Sequence, residues 1–329
     1  METIDNRIGI TTTVPVEVVL AAGLVPVDLN NVFINAPDPA ALIASAEARG
    51  FPVNLCAWIK GIYAALHALG LARVIGVVQG DCSSTAKLME IWEHEGVQRV
   101  RFAYPDVPRP DHARRELEIL AGDLGATLAA AEAKRRELMP VRALLRELDD
   151  LTWKDGKVTG FENHVWLVSA SDFNGDPGRF AAGLQRFLAE ARARRSARGF
   201  IRLGYVGVPP IGTGLYQFLE SRGARVVFNE VQRQFAMITD AAGLAEQYAN
   251  YTYPLETHDR VRDDIGPEIG RRGLQAIIHY AQTFCHRQLD AIILRESLPI
   301  PVLTIEADRP GPLDARTMTR IEAFLEQIS

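Results

Sequence analysis

The sequence predicts an α/β protein of two lobes, each built on a parallel, doubly wound sheet, with a helical segment connecting them. Three observations carry this. Short apolar runs such as Arg73-Val-Ile-Gly-Val-Val78 lack polar alternation and are too short for helices, so they read as buried strands of a parallel sheet. Stretches of helical periodicity alternate with such runs on either side of a long segment rich in Ala, Leu, Glu and Arg. The length of 329 residues exceeds one ordinary domain and falls short of three. The expected division is 1–150, an N-terminal lobe with the helical linker, and 151–329, a C-terminal lobe. Lobes of this construction are Rossmann- or flavodoxin-like.

In chain order, Val16 to Ala22 reads as a helix after a cap region at Thr13, and Val25 to Leu29 as extended. Pro39 to Ala48 and Ala57 to Leu69 read as helices, the second with an apolar stripe. The strand ending at Val78 leads through Gln79-Gly80-Asp81-Cys82 into a helix over Ser84 to His94, followed by a strand over Val97 to Phe102. From Asp111 to Asp150 the periodicity is helical, with breaks expected near Gly122-Asp-Leu-Gly125 and at Pro140. The second lobe then reads helix Arg179 to Arg195, strand Ile201 to Val206, helix Gly214 to Arg222 and strand Arg225 to Phe228. A long segment to about His258 precedes a helix to Arg271, a strand over Leu274 to His279 and a helix over Cys285 to Glu296. Strand Pro301 to Glu306 and helix Ala315 to Gln327 follow.

With 47% hydrophobic and 23% charged residues, the chain has the composition of a folded globular protein. Its N-terminal residues show neither a basic start followed by an apolar stretch nor a small-residue cleavage site, so the cytoplasm is the expected compartment. The apolar run from Val14 to Val27 is broken by Pro15, Glu17 and Pro26, and no membrane span is expected. A net charge of -5 argues against a nucleic-acid partner. The basic clusters at Lys134-Arg135-Arg136 and between Arg192 and Arg198 read as solvated helix faces, which leaves a small-molecule substrate as the expected ligand.

Three cysteines, an odd number in a reducing compartment, are not a disulfide framework. They are either buried small hydrophobes or metal ligands. A comparison within the chain bears on the choice. The run from Val74 to Cys82, then a helix, then Val97 to Phe102, matches the run from Ala276 to Cys285, then a helix, then Val302 to Ile305. Both cysteines therefore fall just past the carboxyl end of a buried parallel strand and beside a helix N-terminus, where open sheets place their ligands and where a thiolate is stabilised. Cys56, in Asn54-Leu-Cys-Ala-Trp-Ile-Lys60, stands at the start of another helix.

The stretch Ile10-Thr-Thr-Thr-Val-Pro-Val-Glu17, continuing to Ala21-Ala-Gly23 and Pro26, resembles the N-terminal segment of the 2-hydroxyacyl-CoA dehydratase and benzoyl-CoA reductase family, in its 2-hydroxyglutaryl-CoA dehydratase D-component type. Asn54 to Lys60 and Gly80-Asp-Cys82 are similar to that family's first two cluster cysteines. Phe284-Cys285-His-Arg, Ile300 to Asp308 and Thr319 to Glu326 are similar to its C-terminal segment. The resemblance implies one 4Fe–4S cluster held by Cys56, Cys82 and Cys285, with one iron open. It also implies a separate ATPase activator, itself carrying an iron–sulfur centre, that supplies low-potential electrons for anaerobic radical dehydration or reduction of a small substrate such as a CoA thioester. The working unit would be a homodimer or a paralogous heterodimer. No G-x-x-x-x-G-K-[ST] loop occurs in the sequence, which agrees with ATP use on a partner.

Weaker candidates flank these cysteines. Ser83, Ser84 and Thr85 read first as helix caps, His286 as a surface histidine or a proton donor, and Glu17 as part of a helix start. Glu230 is a candidate lining residue, and Trp58 reads as core. Two other functions compete: a 4Fe–4S electron carrier or redox sensor without catalysis, and a dinucleotide-binding oxidoreductase suggested by Gly204 to Gly214. Against the latter, Gln217 replaces the third glycine of the fingerprint and Pro209-Pro210 interrupts the turn.

Overall fold

Arg7–Ile10 (β1), a run of only four residues, is an inner strand of the first sheet. The computed structural model describes residues 5–328. After β1 come Val16–Ala21 (α1), Val25–Asp28 (β2), Leu29–Ile34 (α2), Pro39–Arg49 (α3), Ala57–Ala68 (α4), Arg73–Gln79 (β3), Ser83–His94 (α5) and Gln98–Ala103 (β4). Helices Pro110–Asp123 (α6), Leu128–Trp153 (α7), Gly160–Val168 (α8) and Pro177–Ala193 (α9) lead to Ile201–Gly207 (β5), Leu215–Ser221 (α10) and Ala224–Asn229 (β6). Glu230–Phe235 (α11), Leu244–Ala249 (α12), Thr257–Arg260 (α13) and Gly266–Arg272 (α14) precede Ala276–Gln282 (β7), Asp290–Ser297 (α15), Val302–Ala307 (β8) and Ala315–Ile328 (α16).

The strands form two four-stranded sheets of the same order, β2-β1-β3-β4 and β6-β5-β7-β8, and every pairing is parallel. The fold is therefore α/β with two Rossmann/flavodoxin-like lobes. The chain divides into two compact units. One comprises Met1–Ala143, Ser169–Ala181 and Phe235–Leu255, the other Leu144–Val168, Ala182–Gln234 and Glu256–Ser329.

In the first unit, Ile8, Ile10, Val74, Ile75 and Val77 make the sheet's interior. Gly76 of β3 lets the sheet approach α5 closely: a Cβ there would lie 2.3 Å from the Met89 sulfur. In the second unit, Val206, Phe228 and Ile277 from the sheet pack with Ile265, Ile269, Leu294 and Leu298 from the helices. Arg272 lies fully buried under this core, paired with Asp149 at 2.6 Å and with Glu268, and donating to the Val227 carbonyl at 2.7 Å. Its guanidinium also lies over the Trp153 and Phe228 rings, so the buried charge is surrounded by compensating partners.

Several elements differ from expectation. No break occurs at Pro140. Proline removes a single N–H donor, and apolar side chains buried before and after it, Leu138, Val141 and Leu145, keep the α7 helix continuous. The helix before β7 is divided by a π-helical turn at Val261–Ile265, and the one after Cys285 begins as a 3₁₀ turn over His286–Leu289. Strand β7 extends to Gln282, three residues beyond the expected His279, and so runs almost to Cys285.

Gly61 tests the packing of α4. Replacing a mid-helix glycine by alanine ordinarily gains about 1 kcal/mol. Here the new Cβ would lie 2.4 Å from ring carbons of Phe33, which is fully buried and cannot swing away. Gly61→Ala is therefore expected to destabilise the protein by about 1–3 kcal/mol, read as a lower urea midpoint at unchanged slope.

Candidate functional site

Each sheet changes its winding direction between its two central strands, with β2 and β3 on opposite sides of β1, and β6 and β7 on opposite sides of β5. The carboxyl edge at such a point is open to a ligand, because the two connections leave in opposite directions. Cys82 follows β3 at this edge in the first unit, and Cys285 follows β7 at the corresponding edge in the second. Cys56 belongs to the first unit. The helix it begins, α4, feeds the N-terminus of β3, so its own N-terminus lies at the same carboxyl edge as Cys82.

All three cysteines are N-cap residues. Cys56 (φ -48, ψ 128), Cys82 (φ -81, ψ 125) and Cys285 (φ -95, ψ 136) hold extended backbone ahead of a helical turn, and none of their side chains caps that turn by a hydrogen bond. At this position Ser, Thr, Asp or Asn would ordinarily accept from the first-turn N–H groups. A sulfur placed there meets the positive end of the turn, which favours the thiolate. Cys56 is buried, and Cys82 and Cys285 are half-buried.

The Cys82 turn is shaped by contacts around Gly80. Gly80 has φ +87, and a Cβ on it would lie 2.8 Å from both Tyr104 Cβ and Pro254 Cβ, so only glycine fits. Gln79 Nε2 donates to the Tyr104 carbonyl and to Asp106, each at 2.9 Å. In the second unit the Cys285 N–H donates to the Gln282 carbonyl at 3.1 Å, closing a turn whose third residue, Phe284, has φ +65 and is 51% exposed. A non-glycine residue in that conformation is strained.

The weaker candidates fall as follows. Cys82 itself takes the N-cap position, so Ser83, Ser84 and Thr85 lie within the first turn of α5 and do not cap it. Ser83 and Ser84 line a cavity of about 790 Å³ with Leu55, Ile59, Leu88 and Arg49, so the segments next to Cys56 and Cys82 share one wall. His286 is exposed. Trp58 is half-buried with its ring edge-on to Phe33, and its indole N–H, two residues after Cys56, is buried without an acceptor among the described residues.

Glu17 does far more than start a helix. It is fully buried, accepting from Arg142 at 2.6 Å, Gln247 at 2.8 Å and Tyr248 at 2.7 Å. Burial alone would raise its pKa, but the Arg142 charge and these hydrogen bonds outweigh it and hold the carboxyl below its usual range. Burial pushes the phenols of Tyr104, Tyr248 and Tyr251 well above 10, so they act as neutral donors. Two of them donate to the loop after β1: Tyr104 to the Thr13 carbonyl at 2.9 Å and Tyr248 to the Val14 carbonyl at 3.2 Å.

Glu230 is likewise interior. Its carboxylate accepts from the Gly207 N–H at 3.0 Å and from Arg260 at 2.6 Å, and Arg260 in turn reaches Asp290 at 2.8 Å. The loop after β5 is held by Ile211 N–H donating to the Tyr280 hydroxyl at 3.1 Å and by Thr213 N–H donating to the Gly311 carbonyl at 2.8 Å. An acid so engaged and fully buried is not presented to a ribose, and these loop N–H groups are spent. This geometry does not suit a dinucleotide.

Sequence reasoning missed one cluster entirely. At the carboxyl end of β2, the Asp28 N–H donates to Asp172 at 2.7 Å, Ser171 donates to the Asp28 carboxylate at 2.5 Å, and Asn31 donates to Ser171 at 3.2 Å. Burial, reinforced by the neighbouring Asp28 charge, raises Asp172 to about 7, and burial also raises Asp28. In the second unit, burial lowers His164 and His279 to about 4.

Among the described residues, no group of three or more His, Cys, Asp or Glu side chains is arranged to hold a metal ion, and no helix is long and apolar enough to cross a membrane. A family model described as 2-hydroxyglutaryl-CoA dehydratase, D-component, matches residues 11–328. No curated protein matches the chain.

The Asp28–Asp172 cluster predicts a pH effect of definite sign. The folded state retains a proton on Asp172 between its unfolded value near 3.8 and its folded value of about 7, so this site's stability contribution falls as pH rises through that window. The two buried histidines act oppositely, losing stability as pH falls from 6.5 to about 4. The difference between wild type and Asp172→Asn isolates the carboxylate. Relative to the variant, wild type should lose about 4 kcal/mol between about pH 4 and about pH 8, measured by urea unfolding. A pH-independent difference would contradict the shift.

Proposed function

The chain belongs to the 2-hydroxyglutaryl-CoA dehydratase D-component family, and from that premise we propose that it is an iron–sulfur subunit for radical dehydration or reduction of a small acyl substrate. Cys56, Cys82 and Cys285 would hold a 4Fe–4S cluster as thiolates. The observation that carries this reading is the N-cap position of all three cysteines, two of them following equivalent strands of two sheets with the same order. The donor set suits the group: a site of three thiolates is what a cubane with one open iron requires. The buried Trp58 N–H, without an acceptor among the described residues, is also suited to an acceptor sulfur near Cys56. When bound, such a cluster supplies one-electron chemistry at low potential and an iron that no protein sulfur occupies.

The chain's own residues perform the supporting tasks. First-turn N–H groups of α4 and α5 favour the charged sulfurs of Cys56 and Cys82. Gly80 and Gln79 set the course of the Cys82 turn. The Glu17, Tyr104 and Tyr248 hydrogen bonds hold the Thr11–Pro15 loop at the open edge of the first sheet. Electrons at low potential would come from a separate ATPase activator, in keeping with the lack of a phosphate-binding loop in this sequence. A CoA thioester is the substrate class that family membership suggests.

Anaerobic reconstitution tests the proposal. The chain should bind about four irons and four sulfides. Replacing Cys56, Cys82 or Cys285 singly by Ala should remove most of that content, whereas Ser83→Ala and His286→Ala should retain it. Full iron content in any single cysteine variant would exclude that residue as a ligand. Sustained ATP hydrolysis by the purified chain alone would refute the division of labour with an activator.

A further inference from the structure

Lys60 lies one helical turn after Cys56, and its side chain is 1% exposed. Burying an ammonium group is expensive, and a Met or Leu would fill the same space without that cost. Its two partners indicate what it is for. The Nζ group pairs with Glu47 of α3 at 2.7 Å and donates to the Val53 carbonyl at 2.9 Å. Val53 belongs to the short connection that leaves α3 at Gly50 and ends at the N-cap Cys56. Val53, Pro52 and Asn54 are exposed, so packing does not fix this stretch, and Val53 is 66% exposed despite its apolar side chain. Further ties on the connection lie toward its two ends: the Phe51 N–H donating to the Ala46 carbonyl at 3.1 Å, the Phe51 ring against Tyr63 at 4.5 Å and the Leu55 N–H donating to the Pro52 carbonyl at 3.2 Å.

We propose that Lys60 and Glu47 form a positioning pair that fixes the connection between α3 and α4 and so sets the location of the Cys56 sulfur. This rests on the reading of Cys56 as a cluster ligand for its purpose, but not for its geometry. Lys60 is fixed by α4, Glu47 by α3, and the carbonyl between them belongs to the segment that would otherwise be held mainly by its ends. A charge-assisted bond to that carbonyl is about twice as strong as a neutral one. A buried cation therefore does here what an apolar residue could not, because only a donor can hold a backbone carbonyl.

The test uses the full chain without iron, and Cys82, in the same unit, serves as internal control. Labelling by iodoacetamide is followed by mass spectrometry for Cys56 and Cys82 in wild type, Lys60→Met, Lys60→Arg and Glu47→Gln. Loss of the clamp should open the connection and speed labelling of Cys56 by about tenfold in Lys60→Met, with Cys82 unchanged. Lys60→Arg should restore much of the protection, and amide hydrogen exchange should rise over 51–56 in Lys60→Met. Equal acceleration at both cysteines would mean general loosening and would overturn the positioning role. If Lys60→Met fails to fold, the milder Glu47→Gln decides, since Glu47 is partly exposed: unchanged Cys56 labelling there would overturn the proposal. A wild-type chain that never binds iron would remove the cluster reading, while a selective Cys56 effect would still establish the clamp.

Discussion

A helix that returns from the open edge of a parallel sheet begins with N–H groups that its own turns leave without acceptors. Something must meet them, and in this chain cysteine stands at that position three times. Oxygen-bearing residues would satisfy the groups and end the matter. Sulfur is a poor neutral acceptor but a good thiolate, so the same unsatisfied donors that are a cost to the fold become an electrostatic bias toward ligation. The parallel sheet imposes the constraint, because only parallel strands place every following helix start at one edge.

In each sheet the exit of the strand next to the one that leads to Cys82 or Cys285 is held by buried charge. Glu17 anchors the neighbourhood of the loop after β1 through Arg142, Gln247 and Tyr248, and Glu230 anchors the exit of β5 through Gly207 and Arg260. Well-packed apolar residues in these places could give as much stability, because desolvating an ion pair offsets much of its attraction. What they could not give is a directed bond to a backbone group. Each unit thus has a carboxylate buried near its central strand crossover, with its partners drawn from distant parts of the chain.

The sequence made the strand-cysteine-helix pattern legible because it is local: an apolar run, a short turn and a periodic helix can be read within a few dozen residues. It did not reveal β1. Arg7–Ile10 is four residues long, contains Gly9 and leads into three threonines, and it becomes a central strand only because β2 and β3 pair on its two sides. The role of Glu17 was hidden for a related reason. Its partner Arg142 is 125 residues away, and Asp28 and Asp172 are separated by 144. Nothing in a local window distinguishes a carboxylate with a remote partner from one that faces water. The family resemblance was legible through motifs at both ends of the chain, and the family match over residues 11–328 agrees with it.

The path of the chain through its two units has a consequence for synthesis. The first unit takes in Phe235–Leu255, and with it Gln247 and Tyr248, two of the hydrogen-bond partners of Glu17. A ribosome that has delivered Ala143 has therefore delivered Arg142 but not the two other side chains that shelter that carboxylate. Translation at about 5–20 residues per second would leave Glu17 incompletely partnered for several seconds to some tens of seconds. During that interval the first unit must persist with all four strands of its sheet made but its later segments missing, and with the α1 acid not yet fully partnered. Slow codons or a chaperone acting between Ala143 and Leu255 would bear most heavily on the unit that the chain begins first and completes late.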